Sequence, residues 1–242
     1  MRTHAFHEAH QQRLSQSTKP FNARGAKVER CQHCQIAKKF CICEYQPKPS
    51  EKVSALILVN VNELLKPSNT GRLIADVIDD CHVYQWSRTE PDTQLLKILQ
   101  DDSYQPIVVF PEEYVENRER LLDSSRLITF ADKKPLLIFL DGSWREARRM
   151  FRKSPYLNTF PVLSIKPEAL SQYLMRKTDN DNHLATGEVA SLVLEQLGYS
   201  KEANTLKVWF EVFRESYMLT KTRIKPDVTR PHLKKFIERK QR

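Results

Sequence analysis

An acid, a serine and a tryptophan follow one apolar run in the middle of the chain. Asp141, Ser143 and Trp144 come directly after the run at 136–140, which has the length of a buried strand. The intervening Asp-Gly pair is a turn signal, and Ser143 with Glu146 three residues later predicts a helix N-cap closed by a capping box. Ligands of open α/β sheets bind at strand carboxyl ends and helix N-termini, so we expect chemistry at this corner.

The helix predicted after this corner carries guanidinium groups along one face. Its arginines are spaced i, i+3, i+4 and i+7, and they are Arg145, Arg148, Arg149 and Arg152. Trp144, Ala147 and Phe151 lie on a second stripe that we expect to face the core. Each feature has an ordinary alternative: the arginines as a solvated face, Trp144 as a core aromatic, and Asp141 as a turn or capping residue.

Four cysteines lie within thirteen residues near the N-terminus, in the order C-x2-C, six residues, C-x-C. They are Cys31, Cys34, Cys41 and Cys43. Four thiolates satisfy zinc, and so short a loop needs the binding energy of a metal to fold. The alternatives are reduced cysteines without a ligand or a transient redox disulfide. The fifth cysteine, Cys81, is expected to be a small buried hydrophobe.

The charge balance favours a polyanionic partner. The 242 residues include 39 Lys and Arg against 30 Asp and Glu, a net charge of +9. We find no apolar segment long enough to span a membrane and no signal-peptide core, so the sequence predicts a cytoplasmic protein. Five cysteines in that compartment argue against a disulfide framework, and no stable protein partner is inferred.

Strand-like and helix-like segments alternate from about residue 53 to 220. This pattern predicts an α/β fold with a mostly parallel sheet flanked by helices. We divide the chain into a mobile N-terminal arm, a zinc-binding knuckle, a catalytic domain and a basic C-terminal extension, at 1–25, 26–48, 52–220 and 221–242. A helix is expected at 116–122 and another at 167–175. No dinucleotide fingerprint, Walker loop or nucleophile elbow occurs, which excludes the common forms of those sites.

Several motifs in order resemble the DTW-domain family, which is named for an Asp-x-Thr/Ser-Trp signature. Asp141-Gly142-Ser143-Trp144 matches that signature, with Ser in place of the more frequent Thr. The other matches are Asn69-Thr70-Gly71-Arg72-Leu73, Phe110-Pro111, Arg148-Arg149-Met150, Ser154-Pro155-Tyr156-Leu157, Tyr173 with Arg176, and Leu184-Ala185-Thr186-Gly187-Glu188. Gly187 stands where the family more often has Ala. The resemblance extends from about residue 31 to 220 and includes the cysteine cluster.

This resemblance implies a knotted, SPOUT-like domain, an exception to the rule that protein chains are unknotted. Bacterial members are tRNA-uridine aminocarboxypropyltransferases. They move the 3-amino-3-carboxypropyl group of S-adenosylmethionine to N3 of a variable-loop uridine in tRNA and release 5′-methylthioadenosine. The expected cofactors are therefore S-adenosylmethionine as co-substrate and a structural Zn²⁺, and the expected partner is tRNA.

The resemblance also suggests roles for residues of this chain. Asp141 is the candidate base or uridine-orienting acceptor, with Ser143 and Trp144 beside it. Either Arg72 or Arg176 would hold the donor carboxylate. The stripe Arg145, Arg148, Arg149 and Arg152 would bind tRNA phosphates, with Arg176 as a further contact. The expected donor site comprises Asn69, Thr70, Gly71, Arg72, Phe110, Pro111, Asp141, Thr186 and Glu188. Two other functions remain open: an RNA methyltransferase with the same donor, and a non-catalytic RNA-binding protein.

Overall fold

A five-stranded, all-parallel sheet forms the centre of the protein. The computed structural model describes residues 1–18, 28–122, 133–165, 184–220 and 227–241. The sheet has the order β2-β1-β4-β3-β5. Its strands are β1 Ser54–Val59, β2 Cys81–Gln85, β3 Tyr104–Val109, β4 Lys134–Asp141 and β5 Val162–Leu163. The predicted α/β class with a parallel sheet is confirmed. Residues 166–183 are outside the described residues, so the knot stays a prediction.

The two central strands, β1 and β4, are buried on both faces, which explains their continuous apolar sequences. Alternate side chains point to opposite sides of a strand, and here they enter two separate cores. Ile57 and Phe139 belong to one core, and Leu58 and Ile138 belong to the other. The register pairs Val59 with Asp141, which places the acid at the carboxyl end of the sheet.

Helices cover both faces of this sheet. They are α1 Ala5–Ser15, α2 Gly71–Val77, α3 Thr93–Leu99, α4 Trp144–Arg152, α5 Thr186–Gln196, α6 Ser200–Met218 and α7 Pro231–Gln241. Helices α1, α2, α5, α6 and α7 contribute to the core that contains Phe139, and α3 and α4 contribute to the core that contains Ile138. No helix among these residues has both the length and the apolar character that crossing a membrane requires.

Helices lie within both terminal segments, where the sequence indicated none. Within the arm expected at 1–25, α1 buries Phe6 in the core and also buries His10, and residues 19–25 lie outside the described residues. Only these two residues of the helix are buried, so no apolar stripe marks it in the sequence. Within the predicted basic extension, α7 buries Leu233 and Phe236. Glu215 of α6 accepts hydrogen bonds from the first backbone N–H groups of α7.

Two further local predictions are wrong. The helix expected at 116–122 is absent, and the chain instead forms short 3₁₀ turns at Glu112–Tyr114 and Arg118–Arg120. Trp144 does not enter the core and remains 37% exposed. It is the first residue of α4, and its ring contacts Phe110 and Tyr114. The helix expected at 167–175 lies outside the described residues.

Candidate functional site

Three helices begin at the carboxyl end of β4. Helix α2 begins at Gly71, α4 at Trp144 and α5 at Thr186. The first backbone N–H groups of a helix lack intrahelical partners and carry partial positive charge, so their meeting point favours anionic and polar groups. The carboxyl group of Asp141 lies at this point. The described residues therefore bring polar groups together at the carboxyl end of the sheet, where the site is expected from the sequence.

Asp141 links two of these helix starts through its two carboxyl oxygens. The side-chain amide of Asn69, just before α2, donates to Oδ2 at 2.5 Å. The hydroxyl of Thr186, the first residue of α5, donates to Oδ1 at 2.5 Å. Asp141 is only 3% exposed. A ligand can therefore reach the carboxylate only if side chains around it move.

Burial dominates the protonation of the acids at this site. Removal from water raises the pKa of Asp141, although the hydrogen bonds from Thr186 and Asn69 oppose the rise. Burial also raises the pKa of Glu188, in the first turn of α5, to about 7, although the backbone N–H of Ala185 opposes that rise. Both carboxyl groups therefore hold a proton more readily than exposed acids do.

Backbone contacts join α2 to α5 directly. The backbone N–H of Gly187 donates to the hydroxyl of Thr70 at 3.2 Å. A Cβ on Gly71 would lie 2.8 Å from Oδ2 of Asp141, so only glycine permits this approach. The expected donor-site residues Asn69, Thr70, Gly71, Asp141 and Thr186 therefore form one connected cluster.

Arg72 belongs to a structural network rather than to an open site. Its guanidinium is buried and donates to three backbone carbonyls, those of Asn69 at 3.1 Å, Lys66 at 3.0 Å and His33 at 3.2 Å. Burial lowers its pKa to about 10. These carbonyls already occupy N–H donors of the guanidinium. The geometry therefore disfavours the expected binding of a donor carboxylate by Arg72. Arg176, the other candidate, lies outside the described residues.

The expected donor-site residue Phe110 lies apart from the Asp141 cluster. It directly follows β3 on the sheet face covered by α4, where its ring stacks on Trp144 at 5.8 Å between centroids and on Phe151 at 4.2 Å. Tyr114 contacts both Phe110 and Trp144 edge to face. Tyr114 is not among the site residues expected from the sequence, where its only signal is a position shortly after the Phe110-Pro111 pair.

The start of α4 is capped as predicted. The backbone N–H and the hydroxyl of Ser143 both donate to Oε2 of Glu146, at 2.8 and 2.5 Å. The arginine stripe is exposed along its whole length. Two of its members stack on aromatic rings, Arg148 over Tyr114 at 4.7 Å and Arg149 over Trp86 at 5.8 Å. The Ser143 hydroxyl thus serves the helix cap, while the stripe and Trp144 face outward.

The four clustered cysteines have the geometry of a tetrahedral metal site. Their sulfur atoms all lie within 4.8 Å of one another. The Sγ atoms of Cys31 and Cys43 are 3.6 Å apart, and those of Cys34 and Cys41 are 3.8 Å apart. A zinc ion with four sulfurs at about 2.3 Å requires sulfur–sulfur distances of about 3.8 Å. The cluster can therefore hold a metal ion. Cys81 is buried, as expected.

Comparison with known proteins agrees with this geometry. Three proteins named tRNA-uridine aminocarboxypropyltransferase 2 are similar to this chain. The Mus musculus protein is 25% identical over 173 residues, 69% of this chain and 56% of its own length. The Drosophila melanogaster protein is 25% identical over 179 residues, which is 69% of this chain and 66% of its own length. The Macaca fascicularis protein is 24% identical over 181 residues, which is 71% of this chain and 58% of its own length.

The matched region thus spans 56–66% of the length of these relatives. No solved structure gives a significant match. The family model of the DTW domain matches residues 28–218, which include the cysteine cluster, the whole sheet and helices α2 to α6. This chain therefore belongs to the DTW-domain family.

Proposed function

We propose that this protein transfers the 3-amino-3-carboxypropyl group of S-adenosylmethionine to N3 of a uridine in the variable loop of tRNA. The observation that carries the proposal is the family match over residues 28–218. The names of the similar proteins support both the reaction and the RNA class. The net charge of +9 and the exposed arginine stripe suit a polyanionic substrate.

The reaction is a displacement at a carbon bound to sulfur. Uridine N3 forms a bond to the γ-carbon of the aminocarboxypropyl group, and the bond from that carbon to sulfur breaks. The electron pair of the broken bond goes to sulfur, which leaves as neutral 5′-methylthioadenosine, and the N3 proton passes to solvent, directly or through a carboxylate of the site. The protein must keep the methyl group away from N3 and place the γ-carbon in line with it, which is catalysis by positioning.

Asp141 is proposed to act mainly as a positioning residue. Its oxygens hold Asn69 and Thr186, and so fix the starts of α2 and α5 relative to each other. The raised pKa suits a proton acceptor, but uridine can reach the carboxylate only if side chains around it move. Ser143 supports the same corner as the cap of α4, and Trp144 offers an exposed ring on which a base can stack.

The donor is proposed to lie against the same cluster. Its binding residues would be Asn69, Thr70 and Gly71 before and at the start of α2, and Thr186 and Glu188 at the start of α5. Pro111 follows β3, the strand beside β4, and would close the site, whereas Phe110, also expected there from the sequence, lies on the face covered by α4. Of the two arginines considered for the donor carboxylate, Arg176 is now the better candidate, because Arg72 is occupied.

The tRNA is proposed to bind along α4. Arg145, Arg148, Arg149 and Arg152 would contact its phosphates, and Arg176 remains a proposed further contact. Zinc is the proposed metal of the cysteine cluster, because four sulfur ligands at tetrahedral spacing suit it. The metal would hold the knuckle against α2, whose Arg72 donates to the carbonyl of His33 in the knuckle. We further propose a cytoplasmic location, where thiols stay reduced.

A mass measurement of the small product tests this proposal. The protein is incubated with S-adenosylmethionine and unmodified tRNA, and both the tRNA nucleosides and the released donor fragment are analysed by mass spectrometry. We expect a uridine heavier by one aminocarboxypropyl group and an equal amount of 5′-methylthioadenosine. S-adenosylhomocysteine with a methylated nucleoside would instead show an RNA methyltransferase. Binding of tRNA with no product and no binding of the donor would show a non-catalytic RNA-binding protein.

A further inference from the structure

A pocket lies on the sheet face opposite the Asp141 cluster. It has a volume of about 220 Å³ and opens between α4 and the turn Glu112–Tyr114. Drug-sized ligands occupy pockets of about 300–1,000 Å³, so this one suits a smaller group such as a single ring system. The donor site proposed above uses the starts of α2 and α5 on the other face, and this pocket is separate from it.

Aromatic rings form the inner part of this pocket. Phe110, Tyr114 and Phe151 all line it. The rings of Phe110 and Phe151 are parallel to within 8°, and Tyr114 meets Phe110 edge to face at 5.8 Å. Unstacked nucleobases commonly contact aromatic side chains, and Tyr114 is the partly exposed ring of this pocket, because Phe110 and Phe151 stack on each other and are buried.

The mouth of the pocket carries two positive and two negative groups. Arg148 and Arg152 come from successive turns of α4, and Glu113 and Glu116 come from the facing segment, residues 112–120. Neither glutamate has a hydrogen-bond or ion-pair partner within the described part of the chain. The formal charges therefore cancel within a chain of net charge +9. Carboxylates at this position disfavour a phosphate and accept hydrogen bonds from a neutral ligand.

The facing segment is fixed before any ligand binds. Arg120 donates to the carbonyls of Phe160 and Leu157, both at 2.8 Å. The backbone N–H of Glu112 donates to the hydroxyl of Ser164 at 3.2 Å. Because these bonds hold the segment against the region around β5, the pocket is preformed and little ordering is needed on binding.

We propose that this pocket binds one unpaired guanine of an RNA that lies along the arginine stripe. Guanine presents two neighbouring acceptors, N7 and O6, which suit an arginine, and it presents N–H donors on its other edge, which suit glutamates. Uracil and adenine offer fewer donors to a pair of carboxylates. Arg145 and Arg149, the two members of the stripe that do not line the pocket, would hold the adjacent phosphates while the base enters it. The inference deepens the proposed function, because it names a specificity site for the RNA substrate.

Four trinucleotides test this proposal without donor or tRNA. UGU, UAU, UCU and UUU carry identical phosphates and differ only in the middle base. We expect UGU to bind the full-length protein about tenfold more tightly than the other three when measured by calorimetry at low salt. Equal affinity for all four, or no detectable binding by any of them, would overturn the proposal. Displacement of bound UGU by S-adenosylmethionine would do so too, because the pocket would then belong to the donor.

Substitutions at the mouth of the pocket test whether Glu113 and Glu116 cause the preference for UGU. The double change Glu113→Gln and Glu116→Gln should abolish the preference for UGU and should raise the affinity for all four trinucleotides to a similar level, because two negative charges beside the arginine stripe are removed. Glu112→Gln is the matched control, since Glu112 is a neighbouring exposed glutamate that does not line the pocket. We expect it to retain the tenfold preference. Loss of the preference in the control, or its survival in the double variant, would contradict the assignment.

These measurements separate the pocket from the transfer reaction. If the protein prefers UGU but forms no aminocarboxypropyluridine, the guanine pocket is supported and the proposed reaction is refuted. A chain that forms the product but shows no base preference would refute the pocket alone. Circular dichroism of each variant establishes that any loss of binding occurs in a folded protein.

Discussion

The side-chain amide of Asn69 lies 2.5 Å from Oδ2 of Asp141, although 72 residues separate the two in the chain. This bond joins the segment before α2 to the end of β4, the strand beside β1 in the centre of the sheet. The hydroxyl of Thr186 completes the arrangement from a third part of the sequence. Asp141 thus joins three segments of the chain. Its substitution, or the loss of one of its partners, should therefore affect both the site and the stability of the fold.

Removal of the Thr186 hydroxyl should damage the site without creating a cavity. We expect Thr186→Val to lower the free energy of unfolding by about 1–3 kcal/mol, because Oδ1 of buried Asp141 loses its donor. Transfer activity should fall at least tenfold. Thr186→Ser keeps the hydroxyl and is the matched control. Urea unfolding and initial rates check both effects, and a fully active, equally stable Thr186→Val protein would contradict this role of Asp141.

Replacement of the acid itself separates rate from RNA binding. Asp141→Ala leaves the amide of Asn69 and the hydroxyl of Thr186 without their acceptor, so we expect stability to fall by about 2–4 kcal/mol. Transfer should be abolished, while affinity for tRNA stays nearly intact because the arginine stripe lies on α4. Filter binding and product analysis at a temperature where the variant is folded measure the two. An equal loss of binding and rate would mean that Asp141 only maintains the fold.

The stability of the protein should fall as pH rises through the range in which Glu188 titrates. Its pKa is raised to about 7 in the folded protein, against an ordinary value of 4.5. Between these values the unfolded chain has released the proton that the folded protein retains, so rising pH favours unfolding. Below about 4.5 both states are protonated, and above about 7 both are ionised. The raised pKa of Asp141 acts in the same direction.

Glu188→Gln isolates this contribution. Glutamine stays neutral and its carbonyl can still accept from the Ala185 N–H. The stability difference between variant and wild type should therefore grow in favour of the variant from pH 5 to 8, by at most about 3 kcal/mol. Glu51→Gln, an exposed glutamate before β1, should show no such trend. A difference that is flat with pH would exclude a buried, protonated Glu188.

The sequence predicted the strands and the rim better than it predicted individual side-chain roles. Continuous apolar runs such as that of β4 identify buried parallel strands directly, and turn chemistry located Asp141 at a strand end. The structural role of Arg72 could not be predicted from the sequence, because its partners are backbone carbonyls whose positions depend on the tertiary fold. Helix α1 escaped detection because Phe6 is its one buried apolar residue.

Arg72→Lys should affect stability rather than donor affinity. A lysine ammonium cannot reproduce the planar fork that serves three carbonyls, so buried acceptors would lose partners. We expect a loss of about 2–4 kcal/mol in the free energy of unfolding. The KM for S-adenosylmethionine should stay within about twofold in the folded fraction. Arg88→Lys, at an exposed arginine, is the control. A raised KM with unchanged stability would restore the role of Arg72 in binding the donor carboxylate.

Metal removal should loosen the knuckle and the core beneath it. Ile36 and Ile42, which lie among the four cysteines, are fully buried in the core that also contains Phe6. We expect about one zinc per chain by elemental analysis, and strong chelation should lower Tm by roughly 10 °C, a few kcal/mol for a domain of this size. Cys34→Ser should lose the metal, whereas Cys81→Ala should retain it. Full zinc content in Cys34→Ser would contradict the site.

The arginine stripe should determine how strongly salt weakens tRNA binding. Each guanidinium that contacts a phosphate displaces condensed counterions, so each of Arg145→Gln and Arg149→Gln should reduce the slope of log K against log salt by roughly 0.7–0.9. Lys52→Gln removes the same charge at the opposite, amino end of the sheet, beside β1, and should leave the slope unchanged. The comparison removes the effect of net charge, which is equal in all three variants. If the lysine variant loses as much slope as the arginine variants, RNA responds to the overall charge of the protein and α4 is not its binding surface.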